Sequence, residues 1–179
     1  MASRSPGAAG ILTFMPLYVR PALPQDGPFV YQLVWQVMYE QLQADTWDPR
    51  IREHLLDLQV RAKCGAYATV HPQADNAIIM LDDQAVGRML IDRAGEFYHL
   101  VDISILPKHR GAGIGTRLVL ALCMEADMMR KNVRLYVSIS NPRAAALYRR
   151  LGFRVVEDLL TDQLMERAPG DRAQLVMPA

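Results

Sequence analysis

VDISILPKHRGAGIGTRL, residues 101–118, passes from a strand through a glycine-rich bend into a helix. Val101, Ile103 and Ile105 alternate with Asp102 and Ser104, the period of a strand, and Pro107 ends the run because it has no N–H for a ladder. Gly111, Gly113 and Gly115 then allow a backbone that comes close to a ligand, and from Ile114 onward the apolar residues recur at helical spacing. The first turn of a helix leaves N–H groups without partners at the positive end of its dipole. The junction is therefore expected to hold an anion such as a pyrophosphate.

Two other phosphate-binding patterns fail on spacing. A nucleotide P-loop closes on Gly-Lys-Ser/Thr, whereas Gly115 is followed by Thr116 and Arg117. A dinucleotide fingerprint reads G-x-G-x-x-G inside a parallel β-α-β unit, whereas this chain reads G-x-G-x-G after a long polar connection. A merely structural turn is the remaining alternative.

Upstream, Leu17 to Ala22 reads as a short strand, and Pro24, Asp26 and Pro28 announce a helix carrying Val30, Leu33, Val34, Val37, Met38 and Leu42 at helical spacing. Asp48-Pro49 is an N-cap with proline in the first helical position, opening a second amphipathic helix through Ile51, Leu55, Leu58 and Ala62. Ala77 to Leu81 and Ala85 to Ile91 flank Asp82-Asp83-Gln84 as a hairpin, and a turn at Arg93 to Gly95 leads into a strand from Glu96 to Ile105. After the glycine bend a helix is expected to about Asn132, apolar around most of its middle and so buried. Val133 to Ile139 reads as a strand, Asn141-Pro142 starts a helix closing at Gly152, and Arg154 to Leu160 with Gln163 to Arg167 forms a last hairpin. This order predicts a mixed α/β sandwich around one sheet.

With 179 residues, 51% of them hydrophobic, the chain is sized for one domain with an ample core. The domain is expected over residues 17–168, after a flexible extension over 1–16 and before a tail over 169–179. A net charge of +1 gives no basic footprint for nucleic acid or an anionic membrane, and no apolar run reaches membrane-spanning length. Ala8 to Val19 is apolar after Arg4, as in a signal peptide, but Pro16 interrupts it and no small-x-small cleavage site follows; Met15 is an alternative start. Cys64 and Cys123 stand far apart with no Cys/His cluster, which argues against a metal site and for reduced thiols in the cytoplasm.

Two motifs together carry a resemblance. Arg110 to Gly115, R-G-A-G-I-G, and Asn141 to Phe153, N-P-R-A-A-A-L-Y-R-R-L-G-F, resemble the pyrophosphate loop and the following helix of the GNAT superfamily of acetyl-coenzyme A dependent N-acetyltransferases. The resemblance implies the GNAT fold, a mixed sheet of about seven strands flanked by about four helices, with acetyl-coenzyme A as cosubstrate. It implies that the backbone amides from Arg110 through Gly111, Ala112, Gly113, Ile114 and Gly115 to Thr116 bind the pyrophosphate. Ile103, Ser104 and Ile105 would offer backbone groups to the pantetheine arm, an amide near Ile105 would bind the oxyanion, and Asn141 would cap its helix and touch the pantetheine.

Amine acetylation also needs an acid and a base. The resemblance assigns the acid to Tyr148, a phenol whose ordinary pKa of ~10 leaves it able to protonate a departing thiolate; a half-buried packing tyrosine is the plainer reading. His99 aligns with a position where several family members carry a catalytic glutamate, and a neutral imidazole can take the proton. Glu96, Asp102 or ordered water are the alternatives.

The acceptor is expected to be a primary amine of a small molecule or protein, with a homodimer left open. Family enzymes that acetylate ribosomal-protein N-termini carry Leu-Glu-Val-Arg where this chain reads Leu135, Tyr136, Val137, Ser138, which lowers the case for a peptide N-terminus. Trp35, Trp47, Tyr31 and Tyr39 either line the acceptor pocket or fill the core, and helical spacing favours the core. A longer acyl donor, a hydroxyl acceptor, or a non-catalytic acyl-coenzyme A binding module are the competing functions.

Overall fold

In a computed structural model, residues 16–170 are described. The expected extension apart from Pro16, the expected tail apart from Pro169 and Gly170, and most of the apolar stretch near the N-terminus lie outside them. One sheet of seven strands organises the chain: β1 (Leu17–Pro21), β2 (Asp75–Leu81), β3 (Gln84–Asp92), β4 (Tyr98–Ile105), β5 (Val133–Ser138), β6 (Arg154–Asp158) and β7 (Asp162–Arg167), in the order β1-β2-β3-β4-β5-β7-β6. Every neighbouring pair is antiparallel except β4 with β5. Four helices flank it: α1 (Gly27–Gln41), α2 (Pro49–Val70), α3 (Ile114–Met128) and α4 (Pro142–Arg150). The fold class is the one expected.

Local chemistry explains most boundaries. Asp48 accepts from the Arg50 N–H at 2.9 Å and Pro49 fills the first helical position, so α2 starts where the sequence places it. Asp82 and Asp83 turn the β2–β3 hairpin with φ of 48° and 60°, the left-handed pair that matches strand twist and that aspartate tolerates. Gly87 in β3 has no alternative, because a Cβ there would stand 2.4 Å from the Ser104 carbonyl oxygen of β4.

Among the boundaries that differ from expectation, two have a clear consequence. The third helix ends at Met128 rather than near Asn132: Arg130 takes φ 52° and the Lys131 N–H returns to the Ala126 carbonyl, closing the helix with a left-handed cap that the sequence supplies without glycine. Its middle is also one-sided. Val119, Leu122, Cys123 and Ala126 are buried, whereas Met124 and Met128 face solvent. The strand expected from Glu96 begins at Tyr98, leaving Glu96 exposed in the preceding bend.

The sheet separates two cores. On one face α1 and α2 pack through Val34, Met38, Leu56 and Val60, with Trp35, Tyr39 and Trp47 against them. Those three aromatics thus belong to packing, while Tyr31 stays partly exposed and donates to Asp57. On the other face α3 and α4 bring Val119, Leu122, Tyr148 and Leu151 onto Met89, Leu100, Leu135 and Met165. Each large side chain sealed there stabilises the fold by about 1.5–3 kcal/mol relative to exposure.

Candidate functional site

The sheet is torn at its centre. β4 and β5 pair at Tyr98↔Val133, His99↔Arg134 and Leu100↔Leu135 and no further, although β4 continues to Ile105 and β5 to Ser138. β4 meanwhile stays paired with β3 as far as Gly87↔Ile105. The register there steps from Ile91↔Leu100 to Leu90↔Asp102, so Val101 is an extra residue, a bulge that bends β4 where the parting begins.

Backbone direction in the gap follows from alternation. Leu106 donates its N–H to the Val86 carbonyl, so the backbone groups of Ser104 and Asp102 also face β3, and those of Ile103 and Ile105 face the gap. The Ile105 carbonyl accordingly accepts from Arg110 Nε at 2.8 Å. Of the three residues expected to offer backbone groups, Ile103 and Ile105 have theirs directed to the gap. Ser104 is a correction, because its backbone belongs to the β3 ladder and its buried hydroxyl donates to Asp102 at 3.0 Å.

Below the gap, the glycine bend feeds α3. Gly111 and Gly113 have φ of 79° and 75°, a region costly for any residue with a Cβ, and a Cβ at either would project into open space. Gly113 supplies no side-chain cap, and the first α3 return bond runs from the Arg117 N–H to the Gly113 carbonyl at 3.0 Å. The N–H groups of Ile114, Gly115 and Thr116 are left as first-turn donors, while the Ile114 side chain is buried. Gly115 differs from the other two glycines: a Cβ there would make an ordinary 3.6 Å contact with Ile105. Arg110 is a second correction. Its amide is committed to the Pro107 carbonyl and its guanidinium to Ile105 and Glu40, so its donors are already engaged.

Tyr148 sits on the α3/α4 face, 7% exposed, its ring 5.7 Å from that of Phe153. Burial, and then the negative charge of Asp102, pushes its phenol up to about 12. Asp102 belongs to the other face, so its field reaches Tyr148 across the sheet. Asn141 caps α4, its Oδ1 accepting from the Ala144 N–H at 3.1 Å.

His99 projects to the α1/α2 face at the apex of the gap. Its ring meets His71 edge-on at 4.9 Å between centroids and Tyr136 at 5.6 Å. Burial, then the neighbouring His71, holds its imidazole below the ordinary histidine range. Asp102, on the same face, receives the Ser104 hydroxyl and lies 3.5 Å from the Tyr67 hydroxyl. Arg88 lies beneath, 6% exposed, its Nε donating to Asn76 at 2.8 Å and its guanidinium 6.0 Å from the Tyr67 ring centroid. Tyr67, His71, Asp92 and Arg88 were missed in the sequence. Tyr67 falls seven residues after Val60 on the inward stripe of α2, a signal available in hindsight; the other three follow no period.

A cavity of about 310 Å³ lies between Leu23, Tyr31, Cys64 and Asn76, the last of these the partner of Arg88; of the aromatics weighed as acceptor-pocket residues it holds Tyr31. Among the described residues no cluster of His, Cys, Asp or Glu is arranged to hold a metal.

Residues 73–155 match the family model described as an acetyltransferase (GNAT) domain. Over those residues, a little under half of the chain, the sequence is similar to a GNAT acetyltransferase domain. That stretch spans the torn strands, the glycine cradle and α4. Solved acetyltransferase structures share the fold across nearly their whole length. A PaiA N-acetyltransferase from Thermoplasma acidophilum, in complex with coenzyme A, is 17% identical over 86% of this chain and 99% of its own, with a TM-score of 0.65. An acetyltransferase from Thermus thermophilus is 21% identical over 85% and 96%, at 0.62. A spermidine N-acetyltransferase from Vibrio cholerae, in complex with coenzyme A and spermine, is 15% identical over 87% and 96%, at 0.63.

Proposed function

We propose that this chain transfers an acetyl group from acetyl-coenzyme A to a primary amine of a small molecule or protein, by direct attack in a ternary complex. The observation that carries the reading is the parting of β4 from β5 after Leu100 and Leu135, with a first-turn anion cradle on one side and His99 on the other. The cradle fits a diphosphate: two left-handed glycines open onto empty space and the first-turn amides lack helical partners.

The free edge of β4 offers Ile103 to the pantetheine arm, and the Ile105 N–H is the donor for the oxyanion. One such donor is worth ~2.7–4 kcal/mol in a transition state. His99 takes a proton from the acceptor ammonium, and the amine nitrogen attacks the thioester carbonyl carbon. As the C–S bond breaks, the thiolate takes the Tyr148 proton, and the proton shed by the new amide nitrogen restores the phenol. Asp102 is the weaker candidate for the base, since Ser104 and Tyr67 already engage its oxygens, and Glu96 stands exposed outside the strand. The spermine bound by the Vibrio relative makes polyamines the first acceptors to try. Cys64 and Cys123 are free, which supports a reducing, cytoplasmic setting.

Free-thiol release from acetyl-coenzyme A in the presence of polyamines, amino acids and peptide amines tests the reading. Release that depends on an amine is expected. A chain that binds coenzyme A yet releases thiol with none of these amines would overturn it.

A further inference from the structure

His71 follows the last turn of α2, its N–H returning to the Tyr67 carbonyl, and its Nδ1 lies 3.0 Å from Asp92 Oδ2. The edge of the same ring rests against His99, 4.9 Å between centroids. Asp92 sits opposite His99 in the β3–β4 register, so one carboxylate and two imidazoles from three elements meet at the apex of the gap. The other oxygen of Asp92 accepts from the Ala94 N–H at 3.0 Å, which fixes the carboxylate in place.

We propose that His71 is a positioning residue for the transfer: by engaging the Asp92 carboxylate and lying edge-on against His99, it keeps the His99 imidazole in its proton-accepting form. This rests on His99 being the base.

The argument is one of sign. A carboxylate beside an imidazole favours the imidazolium, and a cation beside it disfavours it. Among the described residues, the groups facing His99 are Asp92 from β3, which acts the first way, and His71 from α2 and Arg134 from β5, which act the second; Tyr136 from β5 offers only its ring. Arg134 is itself paired with Glu166 of β7. With His71 Nδ1 bound to it, the Asp92 charge is directed at His71, and the carboxyl is held below its ordinary range chiefly by that bond. Remove His71, and Asp92 Oδ2 loses its partner and is left, opposite His99 in the register, to favour a proton there. A histidine that merely finished α2 would influence stability alone.

The ring-proton NMR titration of His99, assigned by its loss in His99→Gln, tests this in the full-length chain. His71→Phe, which keeps an aromatic edge, should move the His99 titration to higher pH. Asp92→Asn, which can still accept from Ala94, should move it to lower pH, and the double variant should fall between. His71→Gln is the second variant should the phenylalanine disturb folding, and it too should move the titration upward. An unmoved titration, or shifts of the same sign in the His71 and Asp92 variants, would overturn the proposal. The acid limb of kcat/KM for thiol release should follow the NMR shift. If the ring titration moves as expected and the limb does not, it is His99 as base that fails, and the control of its charge by His71 and Asp92 stands.

Discussion

His99 and Tyr148 lie on opposite faces of one sheet, either side of the gap that opens beyond Leu100 and Leu135. One physical cause suits both to opposite duties. Burial disfavours whichever form of a group is charged, so it holds the His99 imidazole neutral, able to accept a proton, and the Tyr148 phenol neutral, able to give one. Two titratable groups driven apart in this way are the usual mark of an acid and a base. An amine arriving from the α1/α2 face would meet the base, and a thioester held on the α3 side would present its sulfur towards the acid.

If His99 is the base, His99→Gln should lower kcat by ~10²–10⁴ and leave coenzyme A affinity unchanged. Because its pKa is lowered, the acid limb of the wild-type profile should fall below the ordinary ~6.5 of histidine, and the variant should lose that limb. A pH-rate profile of the variant superimposable on wild type would return the work to water.

Tyr148→Phe should lower kcat by up to ~10² with little effect on cofactor affinity, since the phenyl ring still packs beside Phe153. With its phenol pushed up to about 12, Tyr148 should produce no basic limb in the working range of the enzyme. Steady-state kinetics beside a thermal melt would separate the roles: a variant with normal kcat and a lowered melting temperature marks a packing tyrosine only.

Gly113 and Gly115, two residues apart in the bend, should respond differently to substitution. Gly113→Val forces a β-branched side chain into φ 75° and into the open space over the first-turn amides, so coenzyme A binding should be lost by titration calorimetry. Gly115→Ala meets only Ile105 Cδ1 at 3.6 Å and should bind within a few-fold of wild type. Normal binding by the Gly113 variant would move the diphosphate elsewhere.

These residues also show what a sequence discloses. The glycine bend before α3 and the α4 cap are legible because glycine at a left-handed position and Asn-Pro at a helix start leave local chemical marks. The parting of β4 from β5 is not, since it depends on a bulge at Val101, and alternation reads the same through residues 101–105 whichever strand pairs beside them. Ser104 came with its two neighbours from the resemblance, whereas strand alternation turns its backbone to β3. Arg110 is a different case: its amide closes a short turn onto the Pro107 carbonyl, and the partner of its side chain, Glu40, lies 70 residues away and leaves no trace in spacing. The His71, Asp92 and His99 cluster has the same character, three elements meeting only after the chain is folded.

Far from the gap, Arg20 and Asp26 join the end of β1 to the start of α1. Both guanidinium nitrogens donate to the carboxylate, at 2.7 and 2.8 Å, and the Leu23 N–H adds a third bond at 2.8 Å. Arg20 first, then Leu23, lowers the Asp26 pKa from 3.8 to about 2. A carboxyl whose value is depressed by folding contributes stability that is complete above its unfolded pKa and is lost as pH falls through the folded one. The contribution should therefore be present at pH 5 and disappear between about 4 and 2. Other carboxylates are depressed in the same direction, Asp127 and Glu125 among them, so the informative quantity is a difference. Asp26→Asn, which can still accept from Leu23, should melt below wild type at pH 5, and the two melting temperatures should converge as pH approaches 2. Parallel curves over that range would mean that the pair fixes geometry without contributing charge-dependent stability.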